Sequence, residues 1–300
     1  MTQLRFLHLD VFAAKPGGGN HLGVVIGAQT WSTATMQRFA RWTALVETTF
    51  LLPVRAEQAS YRVRIFTPQQ EIPFAGHPSI GSAHAVLECA LAQPRDGVLW
   101  QECDAGVLPI RVEGSGHKRE LLLRAPGASV LATGLDAHPL LRATLAGIQI
   151  GPLPPALVDG GRRWWLAEVA DEATLRSWQP DHAAIRALAQ ASDAMGLCVF
   201  ARCTCRAASN LAEEGHDVVV RAFPAGVGII EDPASGAANG LIAAYMAQAD
   251  STGAARGYTV SQGREIGHDA RLVVRIEDGA IWVGGHSHTV IDGTLDWPDA

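Results

Sequence analysis

Glu47 lies in Ala44-Leu45-Val46-Glu47-Thr48-Thr49-Phe50, a stretch with no other charge that leads into a strand-like run. A carboxyl group desolvated there has its pKa driven upward, towards the range in which it can both give and take a proton near neutrality. Chain position alone favours a plainer role, a solvated glutamate at a helix end. His77 and Asp232 form a second candidate pair, each placed directly before a proline. As chemical groups they would bring an acid or base to opposite sides of one substrate, whereas singly a turn histidine and an N-cap aspartate are the commoner uses. Glycine turns at Gly18-Gly19-Asn20, Ala75-Gly76 and Gln262-Gly263 can point backbone N–H groups at a carboxylate, though most such turns are only turns. No Gly-x-Gly-x-x-Gly follows a strand with an acid downstream, so a dinucleotide site is not supported. Cys198, Cys203 and Cys205 cluster without the Cys-x2-Cys or histidine spacing of a zinc site, and five cysteines in all read as reduced thiols. No metal is expected.

His77 and Asp232 occupy matched places in an internal repeat. Val63-Arg64-Ile65-Phe66-Thr67-Pro68 precedes His77-Pro78-Ser79-Ile80-Gly81-Ser82-Ala83, and Val220-Arg221-Ala222-Phe223-Pro224 precedes Asp232-Pro233-Ala234-Ser235-Gly236-Ala237-Ala238. Fourteen positions separate Arg64 from Pro78 and twelve separate Arg221 from Pro233. Each copy reads as a strand, a turn and a helix opened by proline, with His77 and Asp232 at cap positions and small residues allowing close backbone approach. Two such lobes imply a pseudo-symmetric cleft in which helix N-termini offer N–H groups to a carboxylate.

The elements that must hold these groups follow from periodicity. Strands are expected at Leu4–Phe12, Leu22–Ile26, Thr48–Pro53 and Ser60–Thr67, with a helix from Thr33 to Leu45 capped by Ser32 or Thr33 and turning Met36, Phe39, Ala40 and Thr43 inward. A central helix is expected over Pro78–Leu91, and glycines at Gly106 and Gly114-Ser115-Gly116 punctuate short strands before Leu121–Arg124. Pro126–Pro155 reads as a loop-rich crossover. Beyond it come strands at Trp164–Val169, Gly196–Ala201 and Asp217–Phe223, a helix at His182–Gln190 and the second central helix at Pro233–Ala247. Hairpin strands follow at Thr259–Gln262, Arg271–Ile276 and Ala280–Val283. The expected class is α+β: two pseudo-symmetric lobes, each a curved, mostly antiparallel sheet or open barrel wrapped around a central helix. The lobes are placed at 1–125, completed by the tail 286–300, and at 126–285, with the active site in the cleft between them.

Bulk properties agree with two domains. The 300 residues are 48% hydrophobic and 18% charged, enough apolar material for two cores and too little charge for disorder. A net charge of −6 leaves no basic surplus for phosphates, which argues against nucleic acid as a partner. No apolar stretch reaches the roughly 18 residues that span a bilayer, and Met1-Thr2-Gln3 runs straight into a strand pattern without a signal core, so a cytoplasmic location and no membrane partner are expected.

Asp10-Val11-Phe12, Gly19-Asn20, Glu47-Thr48-Thr49-Phe50, Pro73-Phe74-Ala75-Gly76-His77-Pro78 and Glu231-Asp232-Pro233-Ala234-Ser235-Gly236 together resemble the PhzF-like proteins of phenazine biosynthesis. With Arg64-Ile65-Phe66-Thr67-Pro68, Gln262-Gly263, Gly284-Gly285 and Gly293-Thr294-Leu295, the resemblance covers essentially the whole chain. It implies a diaminopimelate epimerase-like fold, a homodimer, and isomerisation of a small carboxylate-bearing substrate without metal or organic cofactor. It further implies that Glu47 moves the proton, that His77 and Asp232 assist, and that Gly19, Asn20, Gly76, Ser235, Gly236 and Ala237 contact substrate. No cysteine stands at either helix start, which disfavours a two-thiol racemase mechanism. Where relatives carry Ser-Glu-Thr, Gly-Asn-Pro and Thr-Gly-Ser-Ala, this chain has Val46-Glu47-Thr48, Gly19-Asn20-His21 and Ser235-Gly236-Ala237-Ala238. Losing a hydroxyl at Ala237 removes a possible substrate hydrogen bond. The alternative is a catalytically silent carboxylate-binding protein that keeps the cleft.

Overall fold

A computed structural model describes residues 4–203, 215–249 and 257–298, and among these described residues a run of strands is broken by six α-helices. The chain divides into two units, one of Met1–Arg124 with Gly284–Ala300 and one of Ala125–Val283. The first unit contains β1 (Leu4–Val11), β2 (Asn20–Ile26), α1 (Thr33–Thr43), β3 (Glu47–Leu52), β4 (Tyr61–Phe66), β5 (Glu71–Ile72), α2 (Gly76–Glu88), β6 (Val98–Cys103), β7 (Gly106–Glu113) and β8 (Glu120–Arg124). The second contains β9 (Ser129–Thr133), α3 (Leu141–Thr144), β10 (Ala156–Asp159), β11 (Arg163–Glu168), α4 (Glu172–Ser177), α5 (His182–Ala191), β12 (Gly196–Arg202), β13 (Val218–Phe223), α6 (Gly236–Ala249), β14 (Gly257–Gln262) and β15 (Ala270–Glu277). Within β16 (Ala280–Gly285) the chain returns to the first unit, where β17 (Ser287–Leu295) pairs with β1.

The duplication read from the sequence is a duplication of sheet topology. In the first unit β17, β1 and β2 pair antiparallel, β2 and β3 parallel, β3 and β4 antiparallel, β4 and β6 parallel, and β6 and β7 antiparallel. In the second unit β9, β10, β11, β12, β13, β14 and β15 repeat that order of senses without a change. A parallel step cannot be closed by a hairpin and needs a crossover. Each crossover is helical: α1 and α2 in the first unit, α4 with α5 and then α6 in the second.

α2 is buried from His77 to Val86 and packs against β1, β2, β3, β4, β6, β8 and β17, the central helix of its unit. Its polar side chains Ser79 and Ser82 are buried with hydrogen-bond partners of their own. Its Gly81 is required by closeness, since a Cβ there would stand 2.4 Å from Leu22 Cδ2 and 2.8 Å from Val11 Cγ2. α6 plays the same part against β10, β11 and β15, with Asn239 to Tyr245 buried.

The repeated Arg-x-Phe pattern also gains a structural cause. On β4, the Arg64 guanidinium lies 5.1 Å from the Phe66 ring centroid and binds Glu71 through two hydrogen bonds of 2.6 Å. On β13, Arg221 lies 5.1 Å from the Phe223 ring centroid and binds Glu231 through two bonds of 2.9 Å. A planar guanidinium serves both purposes at once, stacking by its face and binding a carboxylate by its edge.

Four expectations need correction. α1 ends at Thr43 rather than Leu45, because Ala44 turns left-handed at φ 54°, and Thr43 is only half-buried. Neither His77 nor Asp232 is a cap. α2 begins at Gly76 after the extended Ala75, which places His77 and Pro78 inside the first turn. α6 begins at Gly236, four residues beyond Asp232, because the Asp232 N–H is taken by the Ala222 carbonyl at 2.9 Å and Ser235 Oγ caps the Ala238 N–H at 3.3 Å. Pro233 therefore precedes the helix instead of opening it. The stretch 126–155 is not all loop, since β9 and α3 form within it.

Candidate active site

Glu47 opens β3 opposite Leu22 of the parallel neighbour β2. The left-handed Ala44 ends α1 and redirects the chain into β3. Its side chain is 13% exposed, and Oε2 is buried without a hydrogen bond. Burial alone raises its pKa from the ordinary 4.5 to about 7. Near neutrality the group is thus divided between acid and base.

His77 stands beside it, with Nε2 3.5 Å from Glu47 Oε2 and its side chain 8% exposed. The same Nε2 lies 3.1 Å from the His21 carbonyl. A carbonyl can only accept, so Nε2 carries the hydrogen and Nδ1 keeps its lone pair in the neutral ring. The start of α2 is fixed by a buried chain of polar groups. Gln101 Nε2 donates to Ser79 Oγ at 2.9 Å, Ser79 Oγ donates to the Ala75 carbonyl at 2.8 Å, and Tyr61 donates to Gln101 Oε1 at 3.0 Å.

Gly19 and Asn20 sit at the beginning of β2. A Cβ on Gly19 would fall 2.2 Å from the Val11 carbonyl oxygen and 2.7 Å from Asp10 Oδ1, so backbone closeness already demands glycine there. Asp10, itself buried, accepts the Gly17 N–H at 2.6 Å and ties down the same loop. Glu47, Gly76, His77 and the β2 end belong to one unit, and the structure brings Glu47 and His77 together. One hollow of that unit lies elsewhere. It measures about 340 Å³ and is lined by Arg55, Arg62, Arg64, Glu71, Glu102 and Asp104 among others, with no candidate residue in its wall.

In the second unit Asp232 is half-buried, and its Oδ1 accepts the Ala234 N–H at 3.2 Å. Ser235 is buried, Gly236 opens α6, and Ala237 is exposed with no side-chain donor to offer. Gln262, read from the sequence only as part of a turn, is wholly buried, and Nε2 donates to the Asp232 carbonyl at 2.8 Å. The His21 carbonyl and the Gln101–Ser79 chain were not legible. A backbone oxygen carries no residue signature, and a buried glutamine looks in sequence like an exposed one.

Among the described residues one further cluster of metal-type ligands occurs: Glu172, Cys203 and His216. Arg271 Nη1 lies 3.2 Å from His216 Nδ1 and can only donate, which leaves Nε2 to donate to Glu172 at 3.1 Å. Arg176 also binds Glu172 at 2.6 Å. Burial works to raise the Glu172 pKa, but bonds from Arg176 and Cys203 and the nearby His216 outweigh it and bring it down to about 2. Burial and Glu172 push the Cys203 thiol up to about 12. Two guanidinium groups and a committed imidazole make this a closed network rather than a cation seat. Cys198 and Cys203 are free thiols, and Cys205 lies outside the described residues.

Comparison with known proteins bears on the fold and the reaction class. A family described as phenazine biosynthesis-like protein matches residues 9–293. A Pseudomonas chlororaphis trans-2,3-dihydro-3-hydroxyanthranilate isomerase is 31% identical, over 97% of this chain and 98% of its own. A Schizosaccharomyces pombe protein named antisense-enhancing sequence 1 is 30% identical, over 98% and 99%. The crystal structure of a Bacillus anthracis phenazine biosynthesis protein of the PhzF family superposes with a TM-score of 0.81 at 24% identity, covering 99% of this chain and 100% of that one.

Proposed function

The chain belongs to the phenazine biosynthesis-like protein family and is an isomerase, and we propose that it moves a proton between two carbons of a small carboxylate-bearing substrate. Glu47 is the group that takes and returns the proton, in a step that calls on no metal or organic cofactor. The observation that supports this is the buried Glu47 carboxyl, without a hydrogen bond at Oε2 and with its pKa raised to about 7. As carboxylate it removes a hydrogen from a carbon alpha or vinylogous to the substrate carboxylate. The electron pair left behind spreads into the conjugated acid, and the Glu47 carboxyl, after exchanging its proton with solvent, protonates a second carbon. No electrons leave the system and no water is consumed. The N–H groups at the start of α2 meet the developing charge, and His77, held through Nε2 by the His21 carbonyl, assists as acid or base. Asp232, Ser235, Gly236 and Ala237 are the second unit's substrate contacts in this reading, with Asp232 an assisting acid or base, and Gly19, Asn20 and Gly76 those of the first. The protein acts as a homodimer, which light scattering of the purified chain reads directly.

The test follows solvent deuterium into trans-2,3-dihydro-3-hydroxyanthranilate, the compound named for the Pseudomonas relative, and into a small panel of cyclic carboxylates. General acid–base groups contribute about 10²–10⁴-fold, and Glu47→Gln should lose that much. Equal incorporation by both proteins would remove Glu47 from the reaction. For the wild type, kcat/KM should rise with pH through a limb near 7, where the carboxylate form appears.

A further inference from the structure

Gln262 ends β14 fully buried, a place where a primary amide is tolerated only if its polar atoms are satisfied. Here they converge on one short segment. Nε2 donates to the Asp232 carbonyl at 2.8 Å, and Oε1 accepts from the Ser235 N–H at 3.4 Å. Oε1 also accepts from Asn239 Nδ2 at 3.0 Å, and Asn239 Nδ2 donates in turn to the Ser235 carbonyl at 2.9 Å. The next residue, Gly263, has φ +89°, and a Cβ on it would stand 2.7 Å from the Pro233 carbonyl oxygen. Both ends of Asp232–Ser235 are therefore held from β14 and α6, and Gly263 lies close against the Pro233 carbonyl. The segment needs holding, because Pro233, Ala234 and Ser235 belong to no helix or strand.

We infer that Gln262, backed by Asn239, is a positioning residue that sets Asp232 and Ser235 for the reaction by gripping their backbone, without touching substrate itself. The inference rests on the proposed role of Asp232 and its neighbours. A glutamine is suited to the task because it presents a donor to a carbonyl and an acceptor to an N–H from one rigid plane. Gln101 serves the start of α2 in a related way, through Ser79 and the Ala75 carbonyl.

Two variants test it. Gln262→Met keeps length and removes every polar atom. Gln262→Glu keeps the shape, and when protonated it can still donate to the Asp232 carbonyl, whereas its ionised form cannot. Amide hydrogen exchange over residues 231–240 and steady-state kinetics with trans-2,3-dihydro-3-hydroxyanthranilate are measured in parallel. For Gln262→Met, faster exchange at Ser235 is expected, with a roughly 10- to 100-fold fall in kcat and little change in KM, the scale of loss that small misplacement brings. For Gln262→Glu, the ratio of its kcat to the wild-type value at the same pH should climb as pH falls. A folded Gln262→Met with unchanged kcat, or with unchanged exchange at 231–240, overturns the inference. If Gln262→Met does not fold, a pH-independent ratio for Gln262→Glu overturns it instead. A wild type that turns over no carboxylate removes the functional reading separately, and exchange at 231–240 then decides whether Gln262 holds the segment at all.

Discussion

Replacing Glu47 by glutamine should stabilise the protein at alkaline pH while slowing its chemistry about 10²–10⁴-fold. In the native state burial lifts the carboxyl pKa from 4.5 to about 7, whereas the unfolded chain releases the proton near the ordinary value. Between these pH values the native state binds more protons than the unfolded one, so stability falls as pH rises. The loss begins near 4.5 and is complete above about 7. The gap converts to about 3 kcal/mol, the cost of keeping a desolvated carboxylate. Glutamine cannot ionise and is close to the neutral carboxyl in size, so its own contribution is flat with pH. The variant and the wild type should therefore unfold alike near pH 4.5 and diverge to about 3 kcal/mol in favour of the variant by pH 8. At roughly 2–4 °C per kcal/mol for a domain of this size, that is a difference of about 6–12 °C in midpoint. Thermal unfolding of both proteins at pH 4.5, 6 and 8 makes the measurement. A midpoint difference that does not change with pH would refute the reasoning. Glu47 would then have an ordinary pKa in the native protein, and the argument for it as a proton carrier near neutrality would lose its physical basis.

Two structural predictions accompany it. The Arg221–Glu231 pair has side chains only 6% and 4% exposed, so Glu231→Gln should cost about 3–5 kcal/mol by stranding a buried guanidinium. The matched Arg64–Glu71 pair is 20% and 29% exposed, and Glu71→Gln should cost about 1 kcal/mol; equal losses in urea unfolding would show that burial does not set their worth. Gly81→Ala should destabilise by about 1–3 kcal/mol in the same assay although alanine is the better helix former, because its Cβ collides with Leu22 and Val11; a variant at least as stable as wild type would mean that α2 is not wedged against β1 and β2.

What was legible in the sequence is what depends on side-chain type repeated at fixed spacing. Alternation located most strands to within a residue or two, and the small-residue run Gly81-Ser82-Ala83 marked a helix that must be closely enclosed. Glu47 stood out because its neighbours are uncharged, and the structure supplies the desolvation that this predicts. The short elements β9, β10, α3 and α4 were not legible. Each is too brief for periodicity to show, and their pairing is decided by partners distant in the chain.

The helix starts show how far a repeated motif carries. His77-Pro78 and Asp232-Pro233 share a proline and small residues, and on that ground they read as the same local structure. The Arg-x-Phe strands do share one, down to the same 5.1 Å separation of guanidinium and ring. The loops do not, because each helix begins where competing hydrogen bonds allow. In the first copy Ala75 has no side-chain cap, and the Gln101–Ser79 chain grips its carbonyl, so that α2 forms from Gly76. In the second copy the Asp232 N–H is committed to β13, Gln262 holds the Asp232 carbonyl, and Ser235 is left to cap α6. The outcome places His77 on the first turn of a rigid helix and Asp232 on a held but irregular loop. If both act on one substrate, loosening the hold on each should have unequal effects. Gln101→Met should leave His77 supported by the rest of α2 and lower kcat only a few-fold, well short of the loss expected for Gln262→Met. Equal losses from the two substitutions would mean that the loop is no more dependent on its glutamine than the helix is.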